Sequence, residues 1–172
     1  MNRLKNWIWN LLSCLLAIAL TATAAFALVS FVNASPAIAL DYNKQSLIEA
    51  NFSGRDLTDS SFSHANLRNS NLSHANLQGV SLFAANLESA NLEGSDLSNA
   101  TLDSARLSQA NLTNAVLEGA FLANAKFDGA IIDGADFTDV LLRRDVQDKL
   151  CKVAKGVNPT TRRATRDTLF CP

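Results

Sequence analysis

The sequence predicts an all-β solenoid, in which the chain coils around its own filled interior. A large apolar residue recurs at every fifth position from Leu47 to Leu142, without a slip in register. The residue two positions earlier is nearly always alanine or serine, so on an extended backbone a small and a large side chain point the same way. The next two residues, such as Ser53-Gly54, are mostly polar or glycine and are typical of a turn. An α-helix is excluded, because five residues advance by about 500° and the leucines would not share one face.

The unit Ala-(Asn/Asp)-Leu followed by two variable residues resembles the pentapeptide-repeat family. Close matches are Ala65-Asn66-Leu67, Ala75-Asn76-Leu77, Ala85-Asn86-Leu87, Ala90-Asn91-Leu92, Ala110-Asn111-Leu112 and Ala135-Asp136-Phe137. The resemblance covers roughly residues 45–142 and implies a right-handed quadrilateral β-helix with four units in each coil. We therefore expect a β-helix over residues 47–142 with about five coils, roughly 24 Å tall at about 4.8 Å per coil. Residues 40–46 are assigned to an N-terminal cap segment.

Residues twenty positions apart are expected to lie above one another in this β-helix, with backbone hydrogen bonds running between coils. Large apolar residues would then form interior columns. Amide side chains on the outside would form a ladder, bonding to one another along the axis. The expected ladder consists of Asn51, Asn71, Asn91 and Asn111.

Residues 1–39 are predicted to be a Sec-type signal peptide. Arg3 and Lys5 precede an almost wholly apolar run from residue 8 to 32, and Ala37-Ile38-Ala39 is a cleavage site that would leave Leu40 as the first mature residue. Two alternatives stay open. The apolar run is long enough to be an uncleaved membrane anchor. Cys14 follows a sequence similar to a lipoprotein box, although it lies inside the run.

Removal of the signal peptide leaves two cysteines, Cys151 and Cys171. An even pair in an exported protein predicts a disulfide. We favour a structural role, since no CxxC spacing is present, and keep a redox-sensing pair as the alternative.

The repeat ends at Leu142, and residues 143–172 are predicted to form a small helical C-terminal cap. Val146, Leu150, Val153 and Ala154 share one helical face, and Gly156 is a suitable stop. A second short helix is expected from Thr160 or Thr161 to about Phe170. The segment from Leu150 to Cys171 resembles the C-terminal cap of thylakoid-lumen pentapeptide proteins of cyanobacteria and chloroplasts. The opening Asp41-Tyr42-Asn43-Lys44 also resembles those proteins.

The candidate partner patch consists of Phe83, Phe121 and Leu141. We expect the cap helices to cover Phe121, Leu141 and the neighbouring Ala123 on the last coil. The alternative is that the two large residues, with Phe83 lower on the same face, bind a partner.

Charge is distributed unevenly along the chain. Residues 45–142 contain 4 Arg/Lys and 12 Asp/Glu, whereas residues 143–172 contain 8 basic and 3 acidic residues. The basic side chains complement the helix dipole and favour solubility, or alternatively form a dock for a membrane surface or an acidic partner. The candidate basic surface is Arg143, Arg144, Lys149, Lys152, Lys155, Arg162, Arg163 and Arg166.

No combination of residues in the sequence predicts a catalytic or metal site. His64 and His74 are ten residues apart, which places them on opposite sides of a four-sided coil. Asp128 and Asp133 lie on adjacent sides, but nothing specifies a calcium geometry. A filled β-helix offers no cleft, and no Gly-rich phosphate loop is present. We therefore expect a protein that is not an enzyme and has no cofactor.

The leading functional hypothesis is an exported scaffold that binds an unidentified protein in the thylakoid lumen or the periplasm. A second hypothesis is DNA mimicry, because some pentapeptide-repeat proteins resemble a DNA duplex and inhibit gyrase. A third is membrane-surface docking through the basic cap. We expect a monomer that binds no nucleic acid and contacts membranes only through its signal peptide or weakly through its surface.

Overall fold

The computed structural model describes residues 40–172, so the predicted signal peptide or anchor and Cys14 lie outside the described residues. From Asp41 to Leu141 the chain forms four ladders of parallel β-bridges between residues twenty positions apart. We call these ladders face 1 (Asp41 to Leu141), face 2 (Ser46 to Lys126), face 3 (Asn51 to Ile131) and face 4 (Asp56 to Asp136). Together they make a four-sided column of five coils. No helix within residues 40–172 is long and apolar enough to cross a bilayer.

The ladder begins earlier than the repeat pattern predicts. Asp41 pairs with Ser61, and Tyr42 takes the large inward position of a unit. The Tyr42 ring stacks on Phe62 with 4.7 Å between centroids, and Phe52 meets both rings edge-on. The segment 40–46 is thus part of the first coil, and an aromatic cluster fills the interior at this end of the column.

Each unit ends in a turn whose hydrogen bond is accepted by the carbonyl of the unit's own large residue. In a typical unit, the amide of Ser70 donates to the carbonyl of Leu67 at 3.1 Å, and the amide of Leu67 donates to Asn86 in the next coil at 2.8 Å. The third turn residue has positive φ in all but one unit, Asn124 being the exception. This conformation is that of a type II turn. It is adopted even by an alanine, Ala84 (φ 53°).

The interior is packed with the large residue and the small residue of each unit, as the sequence predicts. The leucines of the central coils are fully buried, and burying each contributes roughly 1.5–3 kcal/mol. Three of the small positions are occupied by buried serines, Ser60, Ser70 and Ser95. The Ser70 and Ser95 hydroxyls donate to the carbonyls of Leu67 and Leu92 at 2.7 and 2.8 Å, so neither hydroxyl is left without a partner.

The outward asparagines do not form the continuous amide ladder that the sequence predicts. The Asn71 Oδ1 accepts from the amide of Ser73 at 3.1 Å, and Asn51, Asn91 and Asn111 make the same local bond two residues along the chain. Among these four residues, only Asn111 Nδ2 donates along the axis, to Asn91 Oδ1 at 3.2 Å. The four asparagines do stack as bridge partners, as predicted. The predicted amide bonding along the axis was wrong except between Asn111 and Asn91.

Two helices form the cap: α1 (Arg144–Val153) and α2 (Thr165–Thr168). The second helix is shorter than predicted, and neither Thr160 nor Thr161 is its N-cap. Their backbone amides donate to Asn158 Oδ1 at 2.9 and 3.0 Å, so the chain turns there before α2 begins. A disulfide joins Cys151 to Cys171 and confirms the predicted pairing.

The cap bonds the last coil at one backbone amide on each of faces 3 and 4. The amide of Gly134 donates to the carbonyl of Lys155 at 2.8 Å, and the amide of Phe137 donates to Thr168 Oγ1 at 3.1 Å. Gly156 allows this approach, since a Cβ there would lie 2.9 Å from the Gly134 nitrogen. These contacts stand in for the coil that would otherwise follow.

The expectation that the helices cover Phe121 and Leu141 was wrong. These side chains are 60% and 77% exposed, and Ala123 beside them is also exposed. The reason is geometric: the chain leaves face 1 at Leu142, and the hydrogen bonds of the cap to the last coil are made on faces 3 and 4.

Candidate functional site

An exposed apolar patch lies where face 1 ends. Phe121 and Leu141 are bridge partners on face 1, and Leu141 borders the same groove as Phe170, which is 77% exposed. We call Phe121, Leu141 and Phe170 the end patch. Large apolar side chains exposed next to one another, unlike scattered ones, are typical of interaction sites.

The sequence predicts only part of the end patch. Phe121 and Leu141 are expected there, whereas Phe170 is expected at the end of the second short helix. In the structure Phe170 follows α2 at a turn with φ of 50°, next to Cys171 of the disulfide. The sequence gives one indication that Phe170 belongs to the patch. Phe170 is adjacent to Cys171, and a disulfide fixes the backbone beside it.

Phe83 does not belong to the end patch. It lies on face 1 two coils below Phe121, about 10 Å along the axis at the usual ladder spacing. Its ring packs edge-on against His64, with 5.4 Å between centroids, and 38% of the residue is exposed. The structure therefore separates the three candidate residues into two places.

Half of the candidate basic surface is paired with acids. Lys149 lies 3.8 Å from Asp128, and Lys155 lies 3.2 Å from Asp133. Four of the eight basic residues form ion pairs, and a fifth bonds cap carbonyls; in order along the chain these are Arg143, Lys149, Lys155, Arg163 and Arg166. Within residues 40–172, no ion pair forms at Arg144, Lys152 or Arg162. Three of the basic side chains, those of Lys149, Lys155 and Arg163, thus pair the cap with acids of the column, which the sequence did not predict.

Arg163 makes the most buried of these ion pairs. Its guanidinium lies 2.8 Å from Glu118 and 3.2 Å from Asp136, whose side chain is fully buried. Burial alone raises the pKa of Asp136. Hydrogen bonds from the Thr138 hydroxyl and amide and the charge of Arg163 outweigh burial, so the pKa lies below its ordinary value of 3.8. Asp136 is therefore ionised at neutral pH.

Asn158 is a second buried connection between cap and column, and the sequence analysis missed it. Its Nδ2 donates to the carbonyls of Asn114, Ala115 and Gly134 at 2.9 to 3.2 Å. These partners lie 24 to 44 residues away in sequence, so only the folded column brings them together.

The acids and histidines do not assemble a metal or catalytic centre in the described part of the chain. His64 lies on face 1 and His74 on face 3, as their spacing predicts. Asp128 and Asp133 each face a cap lysine. Across residues 40–172 there is no group of three or more His, Cys, Asp or Glu residues placed to hold a metal ion.

Comparison with known proteins identifies the repeat. A family model described as pentapeptide repeats matches residues 46–82, 81–119 and 105–144. A crystal structure of a pentapeptide repeat protein from the thylakoid lumen of Arabidopsis thaliana is 48% identical to this chain. The match covers 76% of this chain and 90% of the Arabidopsis chain, with a TM-score of 0.74.

Two further relatives are more distant or shorter in their match. A pentapeptide repeat protein from Nostoc Pcc 7120 is 35% identical over 61% of this chain and 86% of that chain, with a TM-score of 0.52. The chloroplast thylakoid lumenal 15 kDa protein 1 of Arabidopsis thaliana is 69% identical over 35 residues. That match covers 20% of this chain and spans only 16% of the relative.

Proposed function

The chain belongs to the pentapeptide-repeat family, and from this premise we propose that it is a non-enzymatic scaffold that binds another protein in the thylakoid lumen. We further infer that its coils wind in the right-handed sense that the family resemblance implies. The observation that carries the proposal is the end patch, in which Phe121, Leu141 and Phe170 are exposed at the end of the column.

The compartment is inferred from three features. The most extensively matched relative described above is a thylakoid-lumen protein. Residues 1–39 contain a basic start, an apolar run and an Ala-Ile-Ala site, which together favour export. The Cys151–Cys171 disulfide agrees with an oxidising compartment.

The non-enzymatic part of the proposal is supported by the way the column is built. The inward side chains fill the interior, and the histidines are exposed at turns on opposite faces. The acids nearest the cap are engaged by Lys149, Lys155 and Arg163. The outer surface of a filled solenoid is suited to binding another macromolecule.

The compartment is tested by the intact mass of the native protein, with free thiols alkylated and no reductant added. We expect a chain that begins at Leu40, carries no alkylated cysteine and fractionates with the lumen of isolated thylakoids. A full-length chain with free thiols, recovered outside the thylakoids, would contradict the proposed compartment and the export route together.

Binding at the end patch is tested by photo-crosslinking in intact thylakoids, with a photoreactive residue at Leu141. We expect a discrete crosslinked species that disappears in the Phe121→Ser variant, because serine removes an adjacent part of the apolar contact. The matched control is Ile131→Ser on face 3, where the isoleucine is 50% exposed but far from Leu141 around the column. Crosslinking that is absent, or equally reduced by both variants, would refute the patch as the binding site.

The two alternative functions are less well supported by the charges. A DNA mimic needs a continuous acidic surface, yet four of the column's twelve acids are paired with cap residues: Glu118, Asp128, Asp133 and Asp136. The same pairs reduce the positive charge available for docking to an anionic membrane. Inhibition of gyrase by the purified protein, or salt-sensitive binding to anionic liposomes, would favour the respective alternative.

A further inference from the structure

In the last coil, three backbone groups on face 2 have no hydrogen-bond partner within residues 40–172. One coil below, the amides of Leu107 and Gln109 donate to the carbonyls of Lys126 and Asp128 at 2.7 and 2.9 Å, and the carbonyl of Ala105 accepts from Lys126 at 3.0 Å. The equivalent groups in the last coil are the amides of Phe127 and Gly129 and the carbonyl of Ala125. Within residues 40–172, none of these three groups makes a hydrogen bond.

Within residues 40–172 the cap bonds none of these three groups, whereas it bonds one backbone amide on each of faces 3 and 4. On face 3 the carbonyl of Lys155 accepts from Gly134, and on face 4 the hydroxyl of Thr168 accepts from Phe137. Helix α1 lies beside face 2, but within residues 40–172 none of its backbone groups bonds Ala125, Phe127 or Gly129. The edge of face 2 is therefore open opposite a helix.

A groove of about 390 Å³ separates the open edge from α1. Phe127 lies on the column side, and Val146, Leu150 and Val153 lie on the helix side. The ion pair between Lys149 and Asp128 also borders the groove. The groove thus combines an apolar lining with free main-chain donors and an acceptor along one wall.

We propose that this groove binds an extended segment of a partner protein, which adds a strand to the edge of face 2. The register follows from the coil below: one residue of the segment donates its N–H to the carbonyl of Ala125 and accepts from the amide of Phe127. The carbonyl two residues later accepts from Gly129. The residue between them is apolar, because its side chain faces Phe127 and the helix. Main-chain bonds provide the affinity and this side chain the selectivity.

A polypeptide segment fits the groove better than a second copy of the column. Three free backbone groups in ladder register are matched by another backbone, whereas a small ligand would have to reproduce that spacing by chance. A second column cannot stack on this edge, because α1 and α2 occupy the end of the last coil. The groove is distinct from the end patch, so this proposal extends the proposed function and is tested independently of it.

The first test measures the edge in the ¹⁵N-labelled protein by NMR hydrogen exchange. We expect the amides of Phe127 and Gly129 to exchange at least about tenfold faster than those of Leu107 and Gln109. The probe is the capped peptide acetyl-Ala-Arg-Leu-Ser-Gln-amide, which copies residues 105–109 and presents the required carbonyls around a leucine. At millimolar peptide, the resonances of Phe127 and Gly129 should shift and their exchange should slow.

Two controls make the result specific. A peptide with proline in place of the arginine lacks the N–H for Ala125 and should bind far more weakly, a comparison made entirely on the unmodified protein. Val153→Trp should fill the groove and abolish the shifts. Val157→Trp should leave the shifts unchanged, because Val157 is similarly exposed and does not line the groove.

The proposal is overturned if the two amides do not respond to the peptide, or if the proline peptide binds equally well. It is also overturned if Val153→Trp binds as the unmodified protein does. Concentration-dependent dimerisation in sedimentation that protects Phe127 and Gly129 without peptide would assign the edge to a second copy instead. None of these outcomes alters the crosslinking expected at Leu141.

Discussion

Replacing Asn158 with alanine should destabilise the docked cap by about 3 kcal/mol. The side chain is fully buried, and its amide nitrogen contacts three carbonyls while its oxygen accepts from Thr160 and Thr161. An NH₂ group has two hydrogens, so the side chain makes four hydrogen bonds, each worth about 1 kcal/mol net. One of the three carbonyls, Ala115, keeps the amide of Asp136 as a partner at 2.9 Å, which lowers the expected loss from about 4 to about 3 kcal/mol.

The measurement combines urea unfolding with native-state hydrogen exchange at the amides of Thr165 and Leu169 in the cap. Exchange at these two amides should accelerate in Asn158→Ala, even if the column melts almost as before, because solenoid ends can open locally. Asn158→Asp should cost more, since a carboxylate oxygen would then face the three carbonyls. Thr160→Ala is the matched control, because Thr160 is exposed and its hydroxyl bonds no residue within 40–172. A loss below about 1 kcal/mol, with unchanged exchange in the cap, would refute the reasoning.

Three further perturbations give expected outcomes. Asp136→Asn should lower stability at pH 7, and the difference from the unmodified protein should shrink below pH 3.8. The pKa of Asp136 is lower in the folded state than in the unfolded state. The carboxylate therefore contributes its full stabilisation above the unfolded-state pKa, and this stabilisation is lost as the pH falls through the folded-state pKa. Thermal melts across pH measure this, and a difference that is constant with pH would contradict it. The double variant Cys151→Ser/Cys171→Ser should lose about 3 kcal/mol in urea unfolding, the entropy of a loop of this length; reduction of the unmodified protein should reproduce the loss, and no change on reduction would exclude a structural role. Ala84→Gly should raise stability by roughly 0.5 kcal/mol, since alanine there has φ of 53°, and a clear loss of stability would show that its methyl packing outweighs the strain.

The column was predictable because its information is local and repeated. A large residue at every fifth position, a small one before it and a turn after it determine the inward side chains without reference to distant parts of the chain. The stacking of residues twenty apart then followed from the family resemblance, and the bridges from Asp41–Ser61 onward agree with it. The outward asparagines stack as predicted, but of the four only Asn111 and Asn91 bond to each other along the axis. The repeat pattern did not indicate that each Oδ1 accepts from the amide two residues later.

The functional end was less predictable because its contacts join distant segments. Helix α1 was visible from the spacing of Leu150 and Ala154. Its place on the column depends on Asn158, Gly156 and Arg163, whose partners are supplied by the last two coils. For this reason the sequence did not indicate that the cap bonds faces 3 and 4 and leaves Phe121 on face 1 exposed. The pairing of cysteines needed only their number and the inferred compartment.

The ladders of residues twenty apart give the column the geometry of a screw. Deleting one five-residue unit from the middle would turn everything beyond it by a quarter revolution about the axis, while leaving each remaining unit with a neighbour of the same kind. Deleting four units would restore the orientation and shorten the column by about 4.8 Å. Changes in repeat number can therefore rotate or advance the end patch relative to the aromatic cluster around Tyr42, with the local structure of both preserved. In a family built this way, the relative aim of two surfaces is adjustable in fixed steps, independently of the residues that form them.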